Sequence, residues 1–219
     1  MNSMPRKTRV SSYHNKHLLD LFSKHLSHIE HFVFYGTLLG LVREGKPIEG
    51  DDDVDILVNK NHFKEVKSIV KNLDFIIHEK RFPNTTNFFF QALGVIEDTN
   101  VVIDFYFYDS ESDPEYILEY WNQNGTVDKK DSVLKIPNAL IFPLNKKFFG
   151  DLEVYIPRHS EVICEYLYGS KWRLPMSQRA EYAAVCQGGR LVNFQTPRPK
   201  YLRFFVKRIM VKLIQRFLL

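Results

Sequence analysis

Residues 34–58 read FYGTLLGLVREGKPIEGDDDVDILV, and four carboxylates occupy positions 51, 52, 53 and 55. The apolar residues among and after them predict a β-strand over 53–58. Like charges this close repel one another, which indicates a cation nearby. On a strand, Asp53 and Asp55 lie on one face, about 7 Å apart at the backbone, while Val54 and Ile56 point into the core. Two carboxylates at this spacing can converge on one or two divalent cations.

A third acidic residue is a candidate to complete such a site. Asp104 is flanked by apolar residues in the stretch VVIDFYFY, which predicts a strand over 101–108. A buried carboxylate without a partner is costly, so a metal ion would explain why Asp104 lies there. A bare DxD is more often part of a solvated loop, but its combination with a preceding Gly-Thr and a third aspartate favours a site.

The residues before the acidic run predict a place for phosphate. A strand predicted over 31–35 ends at Gly36 and Thr37, where a helix begins. Gly36 lets a ligand approach the backbone closely, and Thr37 offers an amide and a hydroxyl where phosphate is favoured. Arg43 can bind phosphate through its planar guanidinium, with a surface ion pair to a nearby glutamate as the alternative. Together these residues predict phosphoryl transfer, in which carboxylates hold Mg²⁺ and a hydroxyl attacks in line.

The pattern G-T-L-L-G-x-V-R-x-G-x-x-I, followed by D-D-D-x-D-I, resembles the LicD/fukutin family of phosphotransferases, which has the nucleotidyltransferase fold. A later stretch, VYIPRHSEVICEYLYGSKWRLP, is similar to the carboxyl-terminal pattern of that family, so the resemblance spans about residues 30–176. The chain departs from the family pattern in two places. Glu49 and Gly50 stand where the family commonly has Pro-Trp, and Lys171 stands near where an acid often precedes the tryptophan.

The resemblance implies an activity. It implies transfer of a phospho-alcohol group, such as phosphocholine or a polyol phosphate, from a CDP-linked donor to a sugar hydroxyl of a surface glycan of the lipopolysaccharide, capsule or teichoic-acid type. The cofactor would be Mg²⁺, with Mn²⁺ as an alternative. Motif position implies these roles: metal ligands Asp53, Asp55 and Asp104; support of the site or activation of the acceptor, Asp51 and Asp52; donor-phosphate binding, Gly36, Thr37 and Arg43.

The expected fold class is α+β, with a small mixed sheet flanked by helices. Further patterns predict these elements: helices over 13–30, 38–43, 59–73, 114–120 and 161–168, strands over 75–79 and 88–96, and short strands within 133–156. We expect a catalytic domain over 1–185 and a linker over 186–199, which contains two glycines and two prolines.

The carboxyl-terminal residues have a different composition. The net charge of the chain is +4, but residues 198–219 carry seven Lys or Arg and no acid. Residues 200–219 predict a basic amphipathic helix that lies in the membrane interface, with packing onto the core as the alternative. Its six cations disfavour a membrane span. Since no apolar stretch follows the basic N-terminus and there are only two cysteines, we expect a cytoplasmic protein, peripheral at the inner face of the cytoplasmic membrane.

Two alternative functions are open at this point. The first keeps the fold but transfers a nucleotide from an NTP to a hydroxyl acceptor, with pyrophosphate leaving. The second is a nucleic-acid-binding or antitoxin-like module, suggested by the basic tail. The cations of the tail alternate with a continuous apolar face rather than with stacking aromatics, so no nucleic acid is expected. The expected partners are a CDP-alcohol, a glycan acceptor that includes lipid-linked forms, and the membrane surface.

Overall fold

The computed structural model describes residues 10–79, 89–119 and 134–175. The helices in these ranges are α1 Ser12–His25, α2 Tyr35–Glu44, α3 Phe63–Asn72, α4 Asn138–Ile141 and α5 Ser160–Tyr168, with a 3₁₀ turn at Lys60–His62. The strands are β1 His31–Val33, β2 Val54–Asn59, β3 Ile76–Glu79, β4 Phe89–Ile96, β5 Thr99–Asp109, β6 Tyr116–Glu119, β7 Leu134–Pro137, β8 Asn145–Phe149 and β9 Leu152–Ile156. The predicted α+β class is confirmed.

Seven of the described strands form one mixed sheet, in the order β1-β2-β5-β4-β3, which continues from β5 through β6 to β7. The central strands β2 and β5 are parallel, and their register pairs Asp55 with Asp104. The other pairs in this sheet are antiparallel. Both faces of β2 are covered, since Ile56 and Leu57 are buried alike. This burial explains why its sequence is almost continuously apolar.

Helix α1 covers part of the sheet with its apolar face. Leu18 and Phe22 are fully buried, because apolar residues at helical spacing form one stripe along the helix. The ring of Phe22 meets those of Phe75 and Phe105 edge to face, at centroid distances of 5.2 and 5.4 Å. The contact with Phe105 fixes α1 over the central strand β5. The N-terminal turn of α1 also lies close to the acidic loop that precedes β2.

The structure corrects several predicted elements. The predicted helix over 114–120 is wrong, because β6 occupies Tyr116–Glu119 and pairs with both β5 and β7. The first helix ends at His25 rather than at residue 30. The predicted strand over 31–35 ends at Val33, and α2 begins at Tyr35, so Gly36 and Thr37 belong to its first turn.

Some predictions fall outside the described residues. The linker over 186–199 and the basic amphipathic helix over 200–219 lie there, as do the ends of the predicted catalytic domain. Among the residues that the structure describes, no helix combines the length and the hydropathy needed to cross a membrane.

Candidate active site

The two central strands bring Asp55 and Asp104 side by side at one end of the sheet. Asp55 is 6% exposed and Asp104 is 3% exposed. Two buried carboxylates in register on adjacent strands repel each other unless a proton or a cation lies between them. Val54 and Ile56, the neighbours of Asp55, are in the core, so the strand cannot turn this carboxylate towards solvent without losing apolar burial.

The loop before β2 adds three more carboxylates. Asp51, Asp52 and Asp53 each have an oxygen within 4.8 Å of the others. Burial raises the pKa of Asp53 well above its usual value, and the charges of Asp104, Asp55, Asp52 and Asp51 raise this pKa further. The five carboxylates therefore form one electrostatic cluster. Carboxylate oxygens are the ligands that Mg²⁺ and similar hard cations prefer, so this donor set fits a divalent ion.

The N-terminus of α2 holds Asp55 in place. The backbone N–H of Thr37 donates to Oδ2 of Asp55 at 3.3 Å, and the N–H of Asp55 donates to Oγ1 of Thr37 at 2.8 Å. Both polar groups of Thr37 that were expected to bind donor phosphate are thus engaged with Asp55, and a phosphate contact of Thr37 stays a prediction. The helix N-terminus also favours the negative charge of Asp55.

Gly36 provides the space in which two of the carboxylates approach each other. A Cβ atom at this position would lie 3.1 Å from Oδ2 of Asp51 and 3.4 Å from Oδ2 of Asp55. Gly36 is therefore next to the acidic cluster, as the prediction of a close approach requires. Gly36 does not have left-handed backbone torsion angles, whereas the residue before it, Tyr35, has a φ of 44°.

Arg43 lies in the last turn of α2, six residues after Thr37 and so about 9 Å along the helix axis. Its Nε donates to Oε1 of Glu44 at 3.0 Å, which is the ion pair weighed as the alternative. The structure thus places Arg43 away from the N-terminal turn of α2. Its role in binding donor phosphate stays a prediction.

Sequence reasoning missed two residues that contact Asp104. Gln91 is 1% exposed, and its Nε2 donates to Oδ1 of Asp104 at 2.6 Å. The hydroxyl of Tyr106 donates to Oδ2 at 3.5 Å. Burial raises the pKa of Tyr106 well above its usual value, and the charges of Asp55 and Asp104 raise it further, so the phenol stays protonated as a donor. A signal for Gln91 was present, since it is the one polar side chain in the stretch FFFQALGVI.

A third missed residue comes from α1. Nδ2 of Asn15 donates to the carbonyl oxygens of Asp51 and Asp53, at 3.2 and 3.5 Å. The hydroxyl of Ser12 donates to Oε2 of Glu49 at 2.8 Å, just before the acidic run. The contact between α1 and this loop could not be predicted from the spacing of residues, because the two segments meet only in the folded chain.

Comparison with known proteins found similar solved structures and one family model. Among solved structures, the lincosamide antibiotic adenylyltransferase LnuA in its lincomycin-bound form is 14% identical, with 80% of this chain and 94% of that chain covered and a TM-score of 0.50. The antibiotic-resistance factor ANT(2'')-Ia is also 14% identical, with 79% and 80% covered and a TM-score of 0.44. The likeness to LnuA shows the fold alone. A search of curated proteins found no match.

A family model matches the chain over more than half of its length. The model describes the nucleotidyltransferase domain of LicD/FKTN/FKRP, and it covers residues 28–159. This range contains the whole acidic cluster, from Asp51 to Asp104, and ends just before α5. The chain therefore belongs to the LicD/FKTN/FKRP family.

Proposed function

We propose that this protein is a Mg²⁺-dependent phosphotransferase that moves a phospho-alcohol group from a CDP-linked donor to a sugar hydroxyl of a surface glycan. The observation that carries the proposal is the cluster of five carboxylates around the paired strands β2 and β5. Membership of the LicD family supports a glycan-modifying group transfer. The lipopolysaccharide, capsule and teichoic-acid classes are the acceptors to be compared.

Three of the carboxylates would hold the divalent ion, Mg²⁺ or Mn²⁺: Asp53, Asp55 and Asp104. When bound, the ion neutralises charge on the donor phosphates. The chain supplies the orientation of these ligands. Thr37 holds Asp55 through two hydrogen bonds, and Gln91 holds Asp104 through a third. Ligands fixed in this way lose little entropy when they bind, which is the usual task of such supporting contacts.

The reaction follows from the donor. The acceptor hydroxyl oxygen attacks the β-phosphorus of the CDP-alcohol, the bond from that phosphorus to the bridging oxygen breaks, and CMP leaves. The acceptor's proton passes to a carboxylate at the accessible side of the cluster. Asp52 is exposed and Asp51 is half-buried, so both lie where an acceptor can reach them from solvent. Gly36 and Arg43, with Thr37, are the proposed contacts of the donor phosphates.

The proposal includes association with the membrane surface through residues 200–219. Each cation near an anionic bilayer contributes about 1 kcal/mol of attraction, which falls with rising salt. Such an attachment would bring the enzyme close to an acceptor carried on a lipid.

The released nucleotide distinguishes the proposal from its alternative. The purified full-length protein is offered CDP-choline, CDP-polyols and NTPs with Mg²⁺ and a sugar acceptor, and the products are separated. We expect CMP, and we expect CDP-alcohols with Mg²⁺ to raise the melting temperature more than ATP or GTP, because a ligand stabilises the fold it binds. Pyrophosphate from an NTP, with no CMP from any CDP-alcohol, would instead establish nucleotidyl transfer.

A further inference from the structure

We infer that Asn15, on helix α1, is a positioning residue that holds the acidic loop in the geometry needed to bind a divalent cation. The inference rests on the proposed function, since it takes the carboxylates of that loop to be part of a metal site. Helix α1, at Ser12–His25, precedes the residues 28–159 that the family model matches. Asn15 is therefore outside the part of the chain to which family membership assigns a role.

The orientation of the Asn15 side chain follows from its two partners. Nδ2 donates to the carbonyl oxygens of Asp51 and Asp53, and the residue is 1% exposed. Carbonyl oxygens accept only, so a flipped amide would place Oδ1 against both of them. In the part of the chain that the structure describes, Oδ1 is buried without a hydrogen-bond partner. Burying an oxygen without a hydrogen bond is unfavourable, and the two hydrogen bonds from Nδ2 offset this desolvation cost.

The two bonds fix the loop on both sides of Asp52. The backbone is held at positions 51 and 53, so the directions of the three adjacent carboxylates are set together. Ser12, one turn earlier on α1, holds Glu49 through its hydroxyl and its backbone N–H, at 2.8 and 3.4 Å. The N-terminal turn of α1 thus holds the loop at Glu49, Asp51 and Asp53, and the last two contacts are made by the buried Asn15.

Charge explains why this loop needs to be held. The carboxylates of the cluster repel one another, and a free loop would relax by spreading them apart. A neutral amide can oppose this movement without adding a cation that would compete with the metal. If Asn15 positions the loop, replacing it should weaken metal binding even where the protein stays folded, which a general loss of stability would not do.

The test measures binding of Mn²⁺ alone to the full-length protein, by calorimetry or by the electron paramagnetic resonance of free Mn²⁺. We expect Asn15→Ala to raise the dissociation constant about tenfold, as the loss of a supporting contact commonly does. Asn15→Asp adds a negative charge, which by itself would tighten binding, but its carboxylate faces two carbonyl oxygens. We expect weaker binding in this variant too. Asn15→Ser keeps one donor and should recover part of the affinity.

Leu26→Ala is the matched control. Leu26 is fully buried at the end of α1, about 16 Å along the helix from Asn15, so its truncation weakens the packing of the same helix without touching the loop. We expect its Mn²⁺ affinity to match the wild type at temperatures where circular dichroism shows both to be folded. Unchanged affinity in Asn15→Ala, or tighter binding in Asn15→Asp, would overturn the inference while leaving the proposed function in place. A wild-type protein that binds no Mn²⁺ would overturn both.

Discussion

The surroundings of the Asp104 carboxylate are set by the two strands that flank β5. On one side β2 presents Asp55, and on the other β4 presents Gln91, in register across the sheet. One neighbour repels the carboxylate and the other donates a hydrogen bond to it. A carboxylate that is kept buried next to another carboxylate indicates a role other than stability.

Replacing Asp104 by Asn should separate activity from stability. We expect turnover to fall by at least two orders of magnitude, because one of the proposed metal ligands is lost. The melting temperature without metal should stay the same or rise, since a repulsive charge is removed from the cluster. Turnover with saturating Mg²⁺ and calorimetric melting are the two measurements. Turnover close to the wild type would remove Asp104 from the proposed site.

The acidic residues of the candidate site could be predicted from sequence, but the partners of their supporting residues mostly could not. Four aspartates lie in a short run, and a fifth lies inside an apolar strand. Without a cation their mutual repulsion and burial would be unfavourable. Gln91 meets Asp104 only through the register of β4 against β5, and Asn15 meets the acidic loop only through the docking of α1. An isolated amide in a sequence carries no sign of which distant group it will meet. Tyr106 is different, because it lies two residues after Asp104 on the same strand and so shares a face with it.

At the scale of elements, the first turn of α2 contacts the acidic cluster. The N–H of Thr37 in this turn donates to Asp55, and α2 also packs against α5. Gly45, with a φ of 70°, then ends the helix in a left-handed conformation, and its N–H donates to the carbonyl oxygen of Leu41. The short helix and the loop after it therefore determine where the acidic run meets the sheet.

A methyl group at Gly36 tests this arrangement. Ala favours a helix by up to about 1 kcal/mol over Gly, so Gly36→Ala should not lower the melting temperature. Its Cβ would lie 3.1 Å from Oδ2 of Asp51, so that carboxylate has to move by a few tenths of an ångström. We expect Mn²⁺ affinity and turnover to fall about tenfold.

The control for this variant is Gly45, the residue that ends the same helix. At Gly45 the added Cβ meets open space but the left-handed backbone is strained, so Gly45→Ala should cost about 1 kcal/mol of stability and keep its Mn²⁺ affinity. Equal metal affinity in the two variants would contradict the role given to Gly36.

Most elements could be predicted from local patterns, and the failure at β6 shows the limit. The hairpin of β4 and β5 follows from two apolar runs joined by a polar turn, and its turn residues Glu97 and Asp98 both have positive φ. Residues 114–120 have no such local signal. The strand Tyr116–Glu119 forms because Ile117 pairs with Ile136 and Leu118 with Asp109, which lie in other segments of the chain.

At the scale of the whole molecule, Asp109 stabilises the fold through an ion pair and hydrogen bonds. Burial opposes ionisation of its carboxyl group, but hydrogen bonds from Ser112, Lys60 and two backbone N–H groups outweigh this and lower its pKa to about 2. Lys60 lies just after β2, so its ion pair with Asp109, at 2.9 Å, ties the ends of the central strands together.

The global stability should therefore depend on pH through Asp109. A pKa below that of the unfolded chain stabilises the fold above about pH 4, and this contribution disappears as the pH falls towards 2. We expect Asp109→Asn to lower the free energy of unfolding by about 2 kcal/mol at pH 7 and by progressively less below pH 4. Urea unfolding from pH 7 to pH 3 measures the difference. A difference that stays constant over this range would assign the loss to packing rather than to charge.

The parallel pairing of β2 with β5 has a consequence for how the chain folds. The hairpin of β4 and β5 closes locally, whereas β2 reaches β5 only after the intervening segment, which includes α3 and β3, has been enclosed. Contacts of high sequence separation are slow to form, so we expect Asp55 to meet Asp104 late in folding. A cation that requires both carboxylates would then bind to finished molecules and leave partly folded ones unoccupied. Metal binding would thus distinguish molecules in which β2 and β5 have paired in the correct register from those in which they have not.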